Sequence, residues 1–484
     1  MTCAPATPPD LRALFDAQFH ASRAQPQVAL AVRRERLLRL RTLLEQHAPV
    51  LAAAVQADFG MRSARLTEVA DFFLLRALLA HTEAHLARWM RPRKVPTPWH
   101  LRPARAFIQR QPLGVVGVIS PWNYPIQLAL APAITALAAG NRVLLKPSEL
   151  TPHTSAQLAA LVAQFFSPDE FCVVQGDANL AALFASLPFD HLVFTGSTAV
   201  GRKVAQAAAQ NLTPTTLELG GKSPCIIDGH CDMKDAALKI AHGKLLNAGQ
   251  TCIAPDYVLL PRGREGEFAQ AYDAAVARLF PTIEGNGDYA SIITARHHAR
   301  LRTMLQQAQT LGAEVQTIDP TAGKPVVHTT GTLGDGVSRQ MLPTLVFGAT
   351  SAMQLMQEEI FGPILPVVSY ERLDDAITHI NAGPRPLALY WFGQSEAVRD
   401  DVLQRTVSGG VTVNDTLMHI AHDHLPFGGV GDSGWGAYHG EQGFLQFCHQ
   451  KSVLVQSRWS MGSLLYPPYG PRMERILALI RRLL

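Results

Sequence analysis

At 484 residues, with 47% hydrophobic and 17% charged side chains, the chain is too long for a single core and too apolar for disorder. A net charge of +4, spread through the chain in both signs, excludes a nucleic-acid partner of the basic-patch kind. Six cysteines without a Cys-x-x-Cys pair exclude a disulfide scaffold and read as a reducing, cytoplasmic setting. The start, "MTCAPATPPDLRALFDAQF", lacks the basic and apolar regions of a secretory signal, and no apolar run reaches the roughly 18–20 residues of a spanning helix.

Residues 10–90 read as helices. "AVRRERLLRLRTLLEQHAPVLAAAVQADFG" repeats apolar residues at three- and four-residue spacing and stops at Gly60. The Pro-rich stretch 91–103 reads as a linker or extended arm. From "GVVGVIS" (114–120) onward, short Val-rich strands alternate with helices, at 125–140 and 151–166 and after "HLVFTGS" (191–197). Near-continuous apolar strands between helices predict a parallel sheet covered on both faces. A second alternation runs from "TTLELGGKSPCIID" to "VSGGVTVND", so two α/β domains are expected. The leftover stretches 93–117 and 413–452 both look extended and suit a paired oligomerisation arm. At the C-terminus, Met473, Ile476, Leu477, Ile480, Leu483 and Leu484 share a helical stripe opposite arginines. Packing on the body of the protein is the simpler reading, and a membrane-surface helix is the sharper one.

Several residues stand out chemically. Cys252 follows Gly249-Gln250-Thr251, a backbone able to turn tightly and present a thiol to a cleft; alone, it reads equally as a small core residue. Glu218 lies inside the apolar run of "LELGGKSP", where burial would raise its pKa and suit a general base; the alternative is a surface-turn carboxylate. Asn123 in "SPWNYP" ends a predicted parallel strand, where an amide can donate to an oxyanion or simply form a turn. Lys146 and Glu149 in "LLKPSE" suit a ribose or phosphate. Gly196 and Ser197 in "FTGSTAVG" open a helix N-terminus that favours phosphate, though the glycine spacing is a poor match to G-x-G-x-x-G. "EEIFGPILP" offers Glu358 and Glu359 with Phe361 for a ribose and a flat ring, or is an ordinary helix end. His419, His422 and His424 lack partners spaced to complete a metal site, so no metal is expected.

In chain order, "SPWNYP", "KPSE", "FTGSTAVG", "LELGGKSP", "NAGQTC", "EEIFGP" and "LPFGGVGDSGWGAYHG" resemble the motif series of the aldehyde dehydrogenase superfamily, over nearly the whole chain. "GQTCIAPDY", "GAYHG" and "YPPYG" resemble its class 3 branch of fatty and aromatic aldehyde enzymes, and "PFDHLVFTG" and "RPLALYWFG" resemble bacterial coniferyl aldehyde dehydrogenases. The resemblance implies a Rossmann-like cofactor domain (1–92 and 118–217), an α/β catalytic domain (218–412), a β bridging arm (93–117 and 413–452) and a tail (453–484). It implies oxidation of an aldehyde to the acid with NAD(P)+ and water, in a homodimer. Cys252 would attack the aldehyde carbon. Asn123 and the Cys252 N–H would hold the oxyanion, and Glu218 would activate water against the thioester. Lys146 and Glu149 would approach the adenosine ribose, Gly196 and Ser197 the pyrophosphate, Glu359 the nicotinamide ribose and Phe361 its ring. The glycine spacing is itself typical of the family. Glu149 would repel a 2′-phosphate, which favours NAD, with NADP possible. The rivals are a CoA-acylating dehydrogenase, which would not need Glu218, a cysteine-dependent hydrolase, which would need a histidine beside the thiol, and a non-catalytic structural relative, which would not need Cys252 and Glu218 together. Segment 318–336 matches no role.

Overall fold

The structure is a computed structural model that describes residues 8–322, 326–328, 339–459, 462 and 466–483. Segment 318–336 therefore lies largely outside the described residues. Helices Pro8–Ala24, Leu30–Phe59 and Leu74–Trp89 form the layer that the apolar spacing predicts. Leu37, Leu40, Leu44, Leu51 and Val55 bury one face of the long helix, which packs on Leu74–Trp89. It closes at Gly60, where φ is 83° and the N–H reaches the Gln56 carbonyl. The return segment is a short helix, Ala64–Thr67, and a π-helical turn, Glu68–Phe73.

The first sheet has the order Gly434–Trp435, Thr215–Leu219, His191–Gly196, Val115–Ile119, Arg142–Lys146, Phe171–Val173. Its pairs are parallel except for Gly434–Trp435. Val115–Ile119 and Arg142–Lys146 are buried throughout, because the crossover helices cover both faces. The chain winds outward from Val115–Ile119 on one side, then returns through His191–Gly196 on the other. That reversal leaves a crevice at the carboxyl ends of these two strands, the place where open α/β sheets bind ligands.

The second sheet runs Val326–His328, Glu314–Thr317, Thr344–Phe347, Ile364–Tyr370, Tyr257–Pro261, Pro224–Ile227, Ala388–Phe392, Gly410–Val413. Its first two strands are antiparallel additions to a parallel body. One expectation is corrected here. The "TTLEL" strand does not open the second alternation. It pairs in parallel with His191–Gly196, Thr195 beside Glu218, and so extends the first sheet.

A third, antiparallel sheet joins Arg93–Val95, Arg105–Pro112 and Cys448–Val455, with Cys448 opposite Pro112 and Val455 opposite Arg105. The two leftover stretches are neither wholly extended nor confined to this sheet. Val115–Ile119 belongs to the first sheet, Gly434–Trp435 pairs with Leu217–Glu218, and Gly440–Gln446 is a helix. The C-terminal helix Pro471–Leu483 leaves Leu477 and Leu479 exposed and Met473, Ile476 and Ile480 half-buried. No helix among the described residues is long and apolar enough to cross a membrane.

Candidate active site

The helix Met233–Leu245 ends in a tight reversal. Asn247, Ala248 and Gly249 have φ of 53°, 54° and 77°, a left-handed run that residues with a side chain rarely adopt. Gly249 is required twice over, by its φ and because a Cβ would collide with the Gly362 carbonyl. The reversal delivers Cys252, half-buried, to a cavity of about 610 Å³. Burial, then the carboxylates of Glu359 and Glu218, push its thiol well up, so the resting group is protonated.

Asn123 follows Val115–Ile119 on the turn bracketed by Pro121 and Pro125, and lines the same cavity. Its Nδ2 donates to the Gln250 carbonyl at 3.1 Å, which uses one of two amide hydrogens and leaves the other for a developing oxyanion. Glu218 is 3% exposed, and neither oxygen has a hydrogen-bond partner. Burial alone raises its pKa well above 4.5. The Gly-rich loop covers it: a Cβ on Gly428 would stand 3.2 Å from Oε1, and Gly434 pairs with Glu218 in the sheet. An unpartnered carboxyl in a cavity with a thiol is arranged for proton transfer rather than for stability.

Glu359 and Phe361 sit on a loop that other residues pin. Lys222 pairs with Asp256 and donates to the Leu355 and Glu358 carbonyls. Asp256 accepts the Ile360 N–H at 3.0 Å, and Arg300 donates to the Glu359 and Ile360 carbonyls. Burial and the Asp256 carboxylate raise the Glu359 pKa to about 8, against Lys222 and Arg300. Phe361, at φ 51°, meets Trp122 edge-on at 5.3 Å.

The remaining expected positions divide. Gly196 and Ser197 line the cavity, whereas Lys146 and Glu149 pair with each other at 2.6 Å and do not. Glu358 lines the cavity rim, exposed. Two observations fit a dinucleotide. The helix Thr198–Ala209 starts beside the cavity with no side-chain cap from Ser197, so its first N–H groups suit a phosphate. Glu359 Oε1 is buried without a partner, available to a diol. Among the described residues no group of His, Cys, Asp or Glu is arranged to hold a metal ion. Trp122, Lys222, His297, Arg300, Arg202 and Arg385 also line the cavity, and the sequence reading named none of them as site residues. For Lys222 a signal existed: it follows directly on the two glycines of "LELGGKSP".

Comparison with known proteins extends this geometry to the whole chain. The aldehyde dehydrogenase family profile matches residues 1–453. A probable coniferyl aldehyde dehydrogenase of Pseudomonas aeruginosa is 46% identical over 467 residues, 96% of this chain and 95% of the relative. The coniferyl aldehyde dehydrogenase of a Pseudomonas sp. is 46% identical over 480 residues, 99% of this chain and 97% of the relative. The substrate-bound structure of Staphylococcus aureus AldH superimposes with a TM-score of 0.89 at 35% identity, covering 97% of this chain and 99% of that one. A cysteine loop, an unpartnered glutamate and a dinucleotide crevice within one cavity, on a chain matched nearly end to end, have one account: the protein belongs to the aldehyde dehydrogenase family.

Proposed function

We propose that the chain oxidises an aromatic aldehyde of the coniferaldehyde type to its acid, with NAD preferred over NADP, in a cytoplasmic homodimer. The observation that carries this reading is that Cys252, Glu218 and Asn123 line one cavity with the uncapped helix start at Ser197. Cys252 Sγ, its thiol proton first lost to water, adds as the thiolate to the carbonyl carbon, and the second Asn123 Nδ2 hydrogen and the Cys252 N–H take the oxyanion. The dinucleotide, when bound, supplies a cationic ring that favours the thiolate and a hydride acceptor. Glu218 then takes a proton from water, whose oxygen attacks the thioester and releases the acid and the Cys252 thiol. Glu359 would hold a ribose diol, and Phe361, which packs edge-on against Trp122, would lie beside the ring. Lys146 and Glu149 would meet the adenosine ribose by opening their ion pair, and the Glu149 carboxylate repels a 2′-phosphate. The substrate reading draws on the two relatives named for coniferyl aldehyde. The cytoplasmic reading draws on the sparse cysteines, six in 484 residues with no Cys-x-x-Cys pair.

Purified protein with NAD and coniferaldehyde should form NADH, and Cys252→Ala should abolish it. Full turnover by Cys252→Ala would remove the nucleophile. A kinetic panel of coniferaldehyde, benzaldehyde and a long-chain aldehyde, each with NAD and NADP, is expected to give the highest kcat/KM for coniferaldehyde with NAD. A long-chain or NADP optimum would overturn that part alone.

A further inference from the structure

We propose that the buried Arg62–Asp71 ion pair is the positioning device that fixes Asn123 against the Cys252 loop. The inference rests on the roles given above to Asn123 and Cys252. Arg62 is 1% and Asp71 0% exposed, and neither lines the cavity, so neither is placed to touch aldehyde or dinucleotide. Arg62 Nη2 donates to Asp71 Oδ2 at 2.8 Å. Arg62 Nη1 donates to the Asn123 carbonyl at 2.6 Å and to Asn247 Oδ1 at 3.2 Å. Asn247 Nδ2 closes the ring by donating to the same Asn123 carbonyl at 3.0 Å and to the Gln250 carbonyl at 3.3 Å. Asp71 Oδ1 accepts the Gln127 N–H at 3.0 Å, at the start of the helix that follows the Asn123 turn. The Arg62 Cζ lies 4.7 Å from the Phe59 ring centre and 5.1 Å from that of Tyr124.

One guanidinium thus ties three segments together: the helical layer, the Asn123 turn and the left-handed run before Cys252. Stability is a poor reason for such a pair, because apolar residues of similar volume usually serve a core at least as well. Geometry is a better one. A guanidinium is planar and sets the directions of several acceptors at once, which a lysine ammonium does not. The Asn247–Gly249 backbone is strained and persists only where its surroundings over-determine it. Arg62 and Asn247 supply that restraint from outside the cavity lining.

The test uses Arg62→Lys and the double variant Arg62→Met/Asp71→Asn. The double variant leaves no buried charge and keeps an acceptor for the Gln127 N–H, so it folds even where Arg62→Lys does not. Single-turnover hydride transfer from coniferaldehyde is measured with enzyme in excess, per active site counted by NAD binding. The rate constant per site is expected to fall about 10–100-fold, the scale of small misplacements of catalytic groups, while NAD affinity stays at the parent value. A pair that only supported the fold would lower the number of sites and the melting temperature and leave the rate per site unchanged. A rate within about 2-fold of the parent in the folded double variant overturns the inference, on the same geometric scale. Failure of the underlying reading is separate, since it would show as hydride transfer surviving Cys252→Ala.

Discussion

Both oxygens of Glu218 are buried and unpartnered, so the folded protein holds its proton more tightly than the unfolded chain does. Ionisation therefore removes stability as pH climbs above the ordinary value of 4.5, and below that value the penalty is absent. Glu359, pushed to about 8 by the same burial, acts in the same direction. Turnover needs Glu218 charged, so activity rises through the range in which stability falls. Glu218→Gln separates the two. It should give one round of hydride transfer and then stall, with steady-state turnover down about 10²–10⁴-fold. Its melting temperature should exceed the parent's at alkaline pH, and the gap should close as pH drops towards 4.5. A gap that widens in acid would mean that Glu218 is ionised at rest. Residues of this kind are legible in a sequence because a lone carboxylate in an apolar run, or a cysteine behind a Gly-Gln-Thr turn, breaks the local pattern. Arg62 and Arg300 break nothing. An arginine beside a helix start, or within an ordinary amphipathic helix, carries no local sign of the distant carbonyls it will hold.

At the scale of elements, the strands were readable because burial on both faces leaves mainly apolar residues in them, with charged residues such as Arg142 and Lys146 at their ends. The left-handed run at 247–249 was readable only in part. Gly249 marks a turn, but Asn247 and Ala248 adopt positive φ through tertiary restraint that no propensity records. The stretch 413–452 misled for a related reason. Its strand Gly434–Trp435 spans two residues, too short for any periodicity to show. Gly249→Ala probes the run directly. The added methyl meets a φ of 77° and the Gly362 carbonyl together, so the loss should be about 1–3 kcal/mol in denaturant unfolding, with lower hydride transfer because Cys252 moves with the loop. Stability within about 0.5 kcal/mol of the parent would show that the loop relaxes freely.

For the whole molecule, two parallel sheets follow from the alternation of strand and helix, but membership of a strand in one sheet or the other does not. Thr215–Leu219 joins the first sheet through a helical crossover and sends its chain on into the second, a choice made by long-range packing. The third sheet brings together residues more than 300 apart in sequence, including Gln109 and Lys451, and leaves Cys448–Val455 at an edge. Its end exposes Leu454 at 50% and Val455 at 53%, and Trp459, Tyr466 and Tyr469 beyond it are also exposed. An edge strand with unpaired backbone groups and apolar side chains is normally blunted or covered. In the homodimer proposed above, a second copy of the chain would cover it. Sedimentation should therefore find the parent as a dimer and Leu454→Glu/Val455→Glu shifted to monomer, with a lower melting temperature because the interface contributes to stability. A monomeric parent, or a double variant that stays dimeric, would move the interface elsewhere.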